Sequence, residues 1–476
     1  MTASGTHTGP HAGNGDDLDV EDALALVREP RADRTDRADP AGRTGHAPAR
    51  PAGHPGHPHP HGHEGATPWP RAREIAARAA RQATRRPAVS VALGDALGLV
   101  LAAPLDALSD LPSFDTSAMD GWAVAGPGPW QIRDGGVLAG HAPPEPLTDG
   151  EAVRIATGAR IPTGVTAVLR SEHGRTGPQD RLHATIPQAL DSARAGGTPM
   201  PSHGQDIRPR GQECRRGDQL LPTGTLITPA VLGLAAAAGY DTVTVVPRPR
   251  AEVLVLGDEL LTEGLPHDGL IRDALGPMLA PWLRALGAEV IAVRRLGDDA
   301  KALRRAITTS RADLIVTTGG TAAGPVDHVH PTLDRIGAEL LVDGVAVRPG
   351  HPMLLARTKA DQHLVGLPGN PLAAVSGLIT LAEPLLRALA AHPAPEPYRT
   401  PLREGVQGHP HDTRLVPVVL RGERAVPLHY SGPAMLRGIA TADALAVVPP
   451  GGAPPGAGME LLDLPWTTAG IGVCFT

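Results

Sequence analysis

Cysteine is nearly absent from this chain. Of 476 residues only Cys214 and Cys474 carry a thiol. No disulfide framework can hold such a chain, and a reducing compartment suits it. Aromatic residues make up 2%, so the cores must be built from Ala, Val, Leu and Ile. No uninterrupted apolar run reaches the roughly 18 residues that cross a bilayer. The basic-then-apolar pattern of a secretory leader is missing at the N-terminus. A basic excess is missing too: 44 Lys and Arg stand against 50 Asp and Glu, a formal net charge of -6. That balance argues against a nucleic-acid protein held by a global basic field. The expectation is a soluble cytoplasmic protein, with no membrane and no nucleic acid among its partners. Its length implies more than one domain.

What is present divides the chain. Residues 1–67 are rich in Gly, Pro, Asp, Arg and His, with little apolar content after Leu26-Val27, which predicts a disordered tail. Within it His54, His57, His59, His61 and His63 alternate with Pro and Gly. Imidazoles at that density can hold Zn, Ni or Cu loosely, or can simply belong to a solvated linker. A helix is expected from Pro70, with the proline in its first turn. Residues 68–250 read as a linker domain, and short β-type runs over about 124–203 as a small β insertion. Thr228 to Ala238 reads as a helix.

From Ala251 to about 394 the pattern alternates. Strand-like runs start at Glu252, Ala288, Asp313 and His363. Helical stretches lie over Asp273–Leu286, Asp298–Thr309 and Leu372–Ala391. Alternation of this kind predicts a parallel, doubly wound sheet. Residues 395–476 return to short strands and form a small C-terminal β domain.

Ligands of a doubly wound sheet bind beyond the C-terminal ends of its strands. Three loops fall there: Gly257-Asp258-Glu259-Leu260, the run Thr317 to Asp327 with Gly319-Gly320, and Gly366-Leu-Pro-Gly369-Asn370-Pro371. Backbone N–H groups of Gly-rich turns at helix starts form anion pockets. Carboxylates beside such a pocket point to a bridging divalent cation, most simply Mg²⁺ on phosphate oxygens. A separate segment, Leu111 to Ala123, concentrates Asp115 and Asp120 with hydroxyls and a glycine. By itself Asp120-Gly121 reads as a turn, because glycine accepts backbone angles that other residues avoid. Asp298 and Asp299 are both suited to cap the helix that follows them.

Taken in order, the motifs resemble one enzyme family. They are Leu-Pro-x-Phe-Asp-x-Ser-Ala-Met-Asp-Gly at 111–121, Arg154-Ile-Ala-Thr157-Gly158-Ala159, and Asp206-Ile-Arg-Pro-Arg-Gly211. Gly257-Asp-Glu-Leu260 follows, then Gly319-Gly320 with Gly324 and Asp327, Pro349-Gly350-x-Pro352, and Gly366-Leu-Pro-Gly-Asn-Pro371. This is similar to the molybdopterin molybdenumtransferases, MoeA in bacteria and the gephyrin E-domain in animals, over roughly residues 70–475. The resemblance implies an elongated homodimer. Each subunit would have a helical linker domain, an inserted β domain, a doubly wound α/β domain and a C-terminal β barrel. Its active site would lie between the α/β domain of one subunit and the first two domains of its partner. The implied reaction takes adenylylated molybdopterin and molybdate, inserts molybdenum at the dithiolene and releases AMP, assisted by Mg²⁺.

The same resemblance implies site residues. Asp120, Glu259, Asp298 and Asp327 match catalytic acidic positions, and the last three would hold the metal. Thr157, Gly158, Glu213, Asp258, Gly319, Gly320, Arg348, Pro349, Gly350, His351, Gly369 and Asn370 match substrate-binding positions. Several positions depart from the pattern. Val255-Leu256 replaces a hydroxyl pair, Asp273-Ala-Leu-Gly276 replaces Asp-Thr-Asn-Arg, and Gly319-Gly-Thr-Ala322 replaces Gly-Gly-Val-Ser. His330 and His351 stand where lysines are usual, and Ala373 where serine is. A lysine usual upstream of Arg348 has no counterpart near Gly344. Each change removes a cation or a hydroxyl donor, and imidazole is cationic only near or below its ordinary pKa of about 6.5. Two expectations follow: an active transferase, or a catalytically impaired paralogue that binds molybdopterin or acts as a scaffold. A metal-buffering tail could accompany either.

Overall fold

The computed structural model describes residues 65–84, 86–141, 145–185, 200–321 and 327–466. The His-rich run of the tail, Cys474, Gly324 and Ala322 lie outside the described residues. All described residues belong to one unit, His61–Thr476.

Runs of Val, Ile and Leu with no polar alternation form the centre of the α/β domain, because both faces of their sheet are covered. Its six strands lie in the order Glu289–Leu296, Arg250–Leu256, Leu314–Thr318, Gln362–Leu367, Leu354–Lys359, Glu339–Asp343. The first four are parallel. Leu354–Lys359 then runs antiparallel to Gln362–Leu367, and Glu339–Asp343 antiparallel to it. The expectation of a purely parallel sheet is thus corrected to a mixed one. Only Ala360-Asp361 join two of these strands, and a parallel pair needs a crossover of a dozen residues or more.

One face of this sheet is covered by helices Trp69–Gln82 and Leu275–Ala285 and by the helical run from Pro371 to Leu389. The other is covered by Ala300–Thr309 and Val329–Arg335. The run Pro371–Leu389, interrupted by Glu383 and Arg387, is nonetheless long and apolar enough by composition to cross a bilayer: its mean hydropathy is 1.5 over a window that is 78% buried. Here it is a core helix, with a π turn at Leu378–Ala382.

Helix Trp69–Gln82 belongs to this core, whereas its sequence position grouped it with residues 68–250. Ala72, Ala76, Ala79 and Ala80 are buried at helical spacing. Trp69 Nε1–H donates to the buried Thr380 hydroxyl at 2.9 Å. Just before it, Thr67–Pro68 pairs in parallel with Val345–Arg348, which pairs in turn with Thr413–Arg421 of the C-terminal sheet.

That sheet curls. Thr413–Arg421 pairs with Arg424–Pro427 and Ala444–Val448, the latter with Gly458–Asp463, and that with Arg399–Pro401. A bridge between Leu402 and Ala425 brings the last strand round to the hairpin. The linker region holds helix Pro229–Ala237, capped by the Thr228 hydroxyl, against a three-stranded sheet. The insertion is a six-stranded sheet that begins at Gly121.

Gly121 corrects a reading. It is not in the left-handed region; a Cβ there would stand 2.1 Å from the Leu169 carbonyl oxygen. The glycine serves close strand approach rather than a turn.

Candidate functional site

Strand Arg250–Leu256 lies between Glu289–Leu296 on one side and Leu314–Thr318 on the other. Connections leave the first strand in opposite directions there, and loops diverge to open a crevice. A cavity of about 100 Å³ occupies it. Leu256, Gly257 and Glu259 line it from the first strand, Gly297, Asp298 and Asp299 from the second, Gly319 and Gly320 from the third. His328 completes the wall.

Glycine is required at several of these points. Gly319 and Gly320 have φ of 77° and 65°, a region that side chains disfavour. At Gly257 a Cβ would meet the Glu259 carboxylate at 2.4 Å, so that carboxylate folds back over the loop. At Gly297 a Cβ would meet Asp258 Oδ1 at 2.3 Å, so the first two loops pack closely there. Gly369 approaches Gly319 closely, and the Gly319 N–H donates to the Leu367 carbonyl at 2.8 Å. The Gly366–Pro371 loop, with Asn370 preceding the helix, therefore abuts the cavity.

The capping question is resolved. Asp299 accepts from the Lys301 N–H at 2.7 Å and caps helix Ala300–Thr309. Asp298 has no part in that cap and lines the cavity.

Asp327 has a different setting. One oxygen accepts from the Val329 N–H at 3.0 Å, and the other meets His330 Nδ1 at 2.9 Å. His330 Nε2 meets Asp343 Oδ1 at 3.0 Å. Hydrogen bonding to Asp327 pushes the His330 pKa up to about 9, with Asp343 adding to the effect. The imidazole is thus cationic at neutral pH, contrary to the expectation drawn from its ordinary value.

The expected trio of metal ligands is only partly assembled. Glu259 and Asp298 share the cavity, but Asp327 is engaged by His330. Among the described residues no three His, Cys, Asp or Glu side chains are placed to hold one metal ion.

Arg348 donates from Nε to Asp412 at 2.8 Å, and that carboxylate is 1% exposed. This pair joins the Pro349-Gly350 turn to the C-terminal sheet. A Cβ at Gly350, where φ is 117°, would stand 3.0 Å from the Ala373 carbonyl oxygen. His351 turns Nδ1 to the Val345 carbonyl at 2.9 Å.

The N-terminal candidates form a second group, and none of them lines the cavity. Asp120 Oδ1 accepts from the Thr157 N–H at 2.7 Å and holds the Thr157-Gly158 turn, where Gly158 has φ 77°. Asp115 accepts from the Arg210 N–H at 2.7 Å. Glu213 is exposed, beside the bridge from Leu111 to the buried Cys214.

Four residues escaped sequence reading: His328, Asp343, Asp412 and Arg295. Asp343 and Asp412 meet their partners across 13 and 64 residues, and no local period signals such pairs. Arg295 Nη2 donates to the buried Asp273 at 2.6 Å.

The fold defines a class: a mixed α/β domain with a crevice at its strand ends, joined to smaller β-rich domains. Residues 67–239 match the MoeA N-terminal region (domain I and II). Residues 252–388 match a probable molybdopterin binding domain, and 399–464 the MoeA C-terminal region (domain IV). Molybdopterin molybdenumtransferase 2 of Mycobacterium tuberculosis is 34% identical over 384 residues, 76% of this chain and 91% of that protein. Molybdopterin molybdenumtransferase of Staphylococcus aureus is 29% identical over 398 residues, 80% of this chain and 91% of that one. Among solved structures, a molybdopterin biosynthesis moea protein from Pyrococcus horikosii superposes with a TM-score of 0.66 at 25% identity, covering 84% of this chain and 99% of that one. The chain belongs to the molybdopterin molybdenumtransferase family.

Proposed function

We propose that this protein acts in molybdenum cofactor biosynthesis, in the cytoplasm, taking adenylylated molybdopterin and molybdate, inserting molybdenum at the dithiolene and releasing AMP. The observation that carries the reading is the switch-point cavity, where Glu259, Asp298 and Gly319-Gly320 converge from three strand ends. Loops that lack side chains admit phosphate oxygens close to the backbone.

The donor set fits Mg²⁺ held by two carboxylates, Glu259 and Asp298, together with substrate oxygens, rather than a three-carboxylate cage. Bound there, Mg²⁺ would offset the charge of the phosphate anhydride. The protein's own share is different. Asp298 and Glu259 would hold the cation against the anhydride end, and Asp258 packs between their two loops. Asp327 holds His330 as a cation in the segment that follows the cavity residue His328.

Asp120, Thr157 and Glu213 lie in the other group, on the N-terminal domains. They enter the reading as the half-site that a second subunit brings, in a homodimer.

The impaired-paralogue reading draws on Ala373, His351 and the missing lysine near Gly344. His330 speaks against it, since the cation expected at that position is retained in another chemical form.

Two measurements test the proposal. Purified protein should release AMP from adenylylated molybdopterin only with both Mg²⁺ and molybdate. Tight nucleotide binding with no AMP release would overturn it in favour of the paralogue. Mixing inactive D120A and E259A subunits should restore about a quarter of the wild-type sites, because half the dimers are hybrid and each has one intact site. No recovery after subunit exchange would place both residues in one subunit's site.

A further inference from the structure

We propose that Phe114, Arg160 and Arg208 form a platform on the N-terminal domains that binds a planar heteroaromatic ring carrying a phosphate. The inference deepens the proposed function and rests on it for the source of that ligand, the pterin end or the adenylate end of the substrate.

Strand pairing brings the two arginines together. Thr116 pairs antiparallel with Arg208 on one side and with Arg160 on the other. Residues directly opposite one another in a ladder point to the same face. Arg160 and Arg208 therefore flank Thr116 on one face, roughly 10 Å apart at the backbone, which is two strand spacings. Thr116 is 8% exposed, whereas both arginines are exposed. The Arg160 guanidinium lies over the Phe114 ring, 5.6 Å from its centroid. Phe114 is one of two phenylalanines in the chain, and it is 39% exposed.

Charge decides the sign of the ligand. The aspartates of these strands and their flanks are engaged elsewhere. Asp110 pairs with the Arg210 side chain and accepts from the Arg216 N–H at 2.8 Å. Asp115 accepts from the Arg210 N–H, and Asp120 from the Thr157 N–H, each at 2.7 Å. Asp206 takes Arg170 through both oxygens at 2.9 Å. Among the described residues neither Arg160 nor Arg208 has an ion pair or a side-chain hydrogen bond.

Each guanidinium thus keeps its planar donors for phosphate oxygens. A phenyl ring and an arginine plane both receive a stacked heteroaromatic ring. Together they select a ligand that is flat at one end and anionic at the other. The platform also adjoins the turn that Asp120 holds. The Gly158 N–H donates to the Ser117 carbonyl at 2.8 Å and the Ser117 N–H to the Ala159 carbonyl at 2.9 Å. Those bonds tie Thr157-Gly158 to the strand that carries Thr116.

The test uses the full chain and equilibrium dialysis, with AMP, neopterin monophosphate and inorganic phosphate as separate probes. R160A and R208A should each weaken binding of a ring-bearing probe by about tenfold or more. F114A should weaken the same probe by about tenfold and leave inorganic phosphate unchanged. The probe affected identifies whether the adenylate or the pterin end is held. R160K and R208K should lie between, since they keep the charge and lose the planar fork. In turnover, KM for the substrate should rise more than kcat falls.

All three side chains are exposed, so the variants should fold, and a thermal melt checks this. A folded F114A/R160A/R208A variant that binds both ring-bearing probes within about twofold of wild type would overturn the inference. So would wild-type protein that binds neither of them at millimolar concentration. A loss in F114A shared equally by inorganic phosphate would also overturn it, because the ring would then have no part. Binding and turnover fail separately: weakened binding in a protein that never releases AMP would refute the proposed reaction and leave the platform in its role.

Discussion

At the scale of the residue, His330 shows how a substitution can preserve a charge. A lysine is cationic by its own chemistry, whereas an imidazole must be held so by its neighbours. Asp327 and Asp343 do that here, one on each ring nitrogen. H330K should therefore keep most of the AMP-release activity. H330A should lose about tenfold or more, as expected for loss of a charged hydrogen-bonded group. Equal activity of the two variants would remove His330 from the site. The sequence displayed His330 and both carboxylates, yet not their meeting, because residues 327, 330 and 343 lie on a loop, a helix and a strand end. Arg348 was legible as a basic residue beside Pro349. Its partner Asp412 was not, since nothing near residue 412 repeats or alternates toward residue 348.

At the scale of the element, the central strand Leu314–Thr318 carries an anomaly. Thr317 is fully buried and its hydroxyl has no partner among the described residues. An unmade hydrogen bond in the core costs about 1–3 kcal/mol, so T317V should raise stability by about 1 kcal/mol. A urea midpoint that moves up would confirm this, and one that moves down would show a hidden partner. Thr317 also marks what sequence pattern could and could not say. Its strand was legible from the apolar run, and so were the Gly-rich loop beyond it and the helix after Asp299. The antiparallel pair was not, because a buried strand reads the same in either direction. Likewise Trp69–Gln82 was legible as a helix from its spacing, but spacing does not name the sheet on which a helix lies.

At the scale of the whole molecule, two histidines set opposite limits on stability. His363 is 1% exposed, with neither ring nitrogen hydrogen-bonded among the described residues. Burial pushes its pKa down to about 4, so the unfolded chain takes up the proton first. Stability is then lost as pH falls below about 6.5, by up to about 3 kcal/mol near pH 4. Burial moves His392 in the same direction. His330 is raised, so its contribution is complete below about 6.5 and is lost as pH rises through about 9. Unfolding measured from about pH 5 to 9 should show a maximum near neutrality, and H363L should flatten the acid limb alone. An acid limb unchanged in H363L would assign it to other groups. The docking of Trp69 carries a consequence of another kind. The hydroxyl that receives its indole lies 311 residues later in the chain. During synthesis the earliest described helix emerges long before the run Pro371–Leu389, against which its alanine face is buried. Domains usually mature from the N-terminus onward as the ribosome delivers them. In this protein helix Trp69–Gln82 must wait, and its side of the α/β core closes only when the run Pro371–Leu389 has been made.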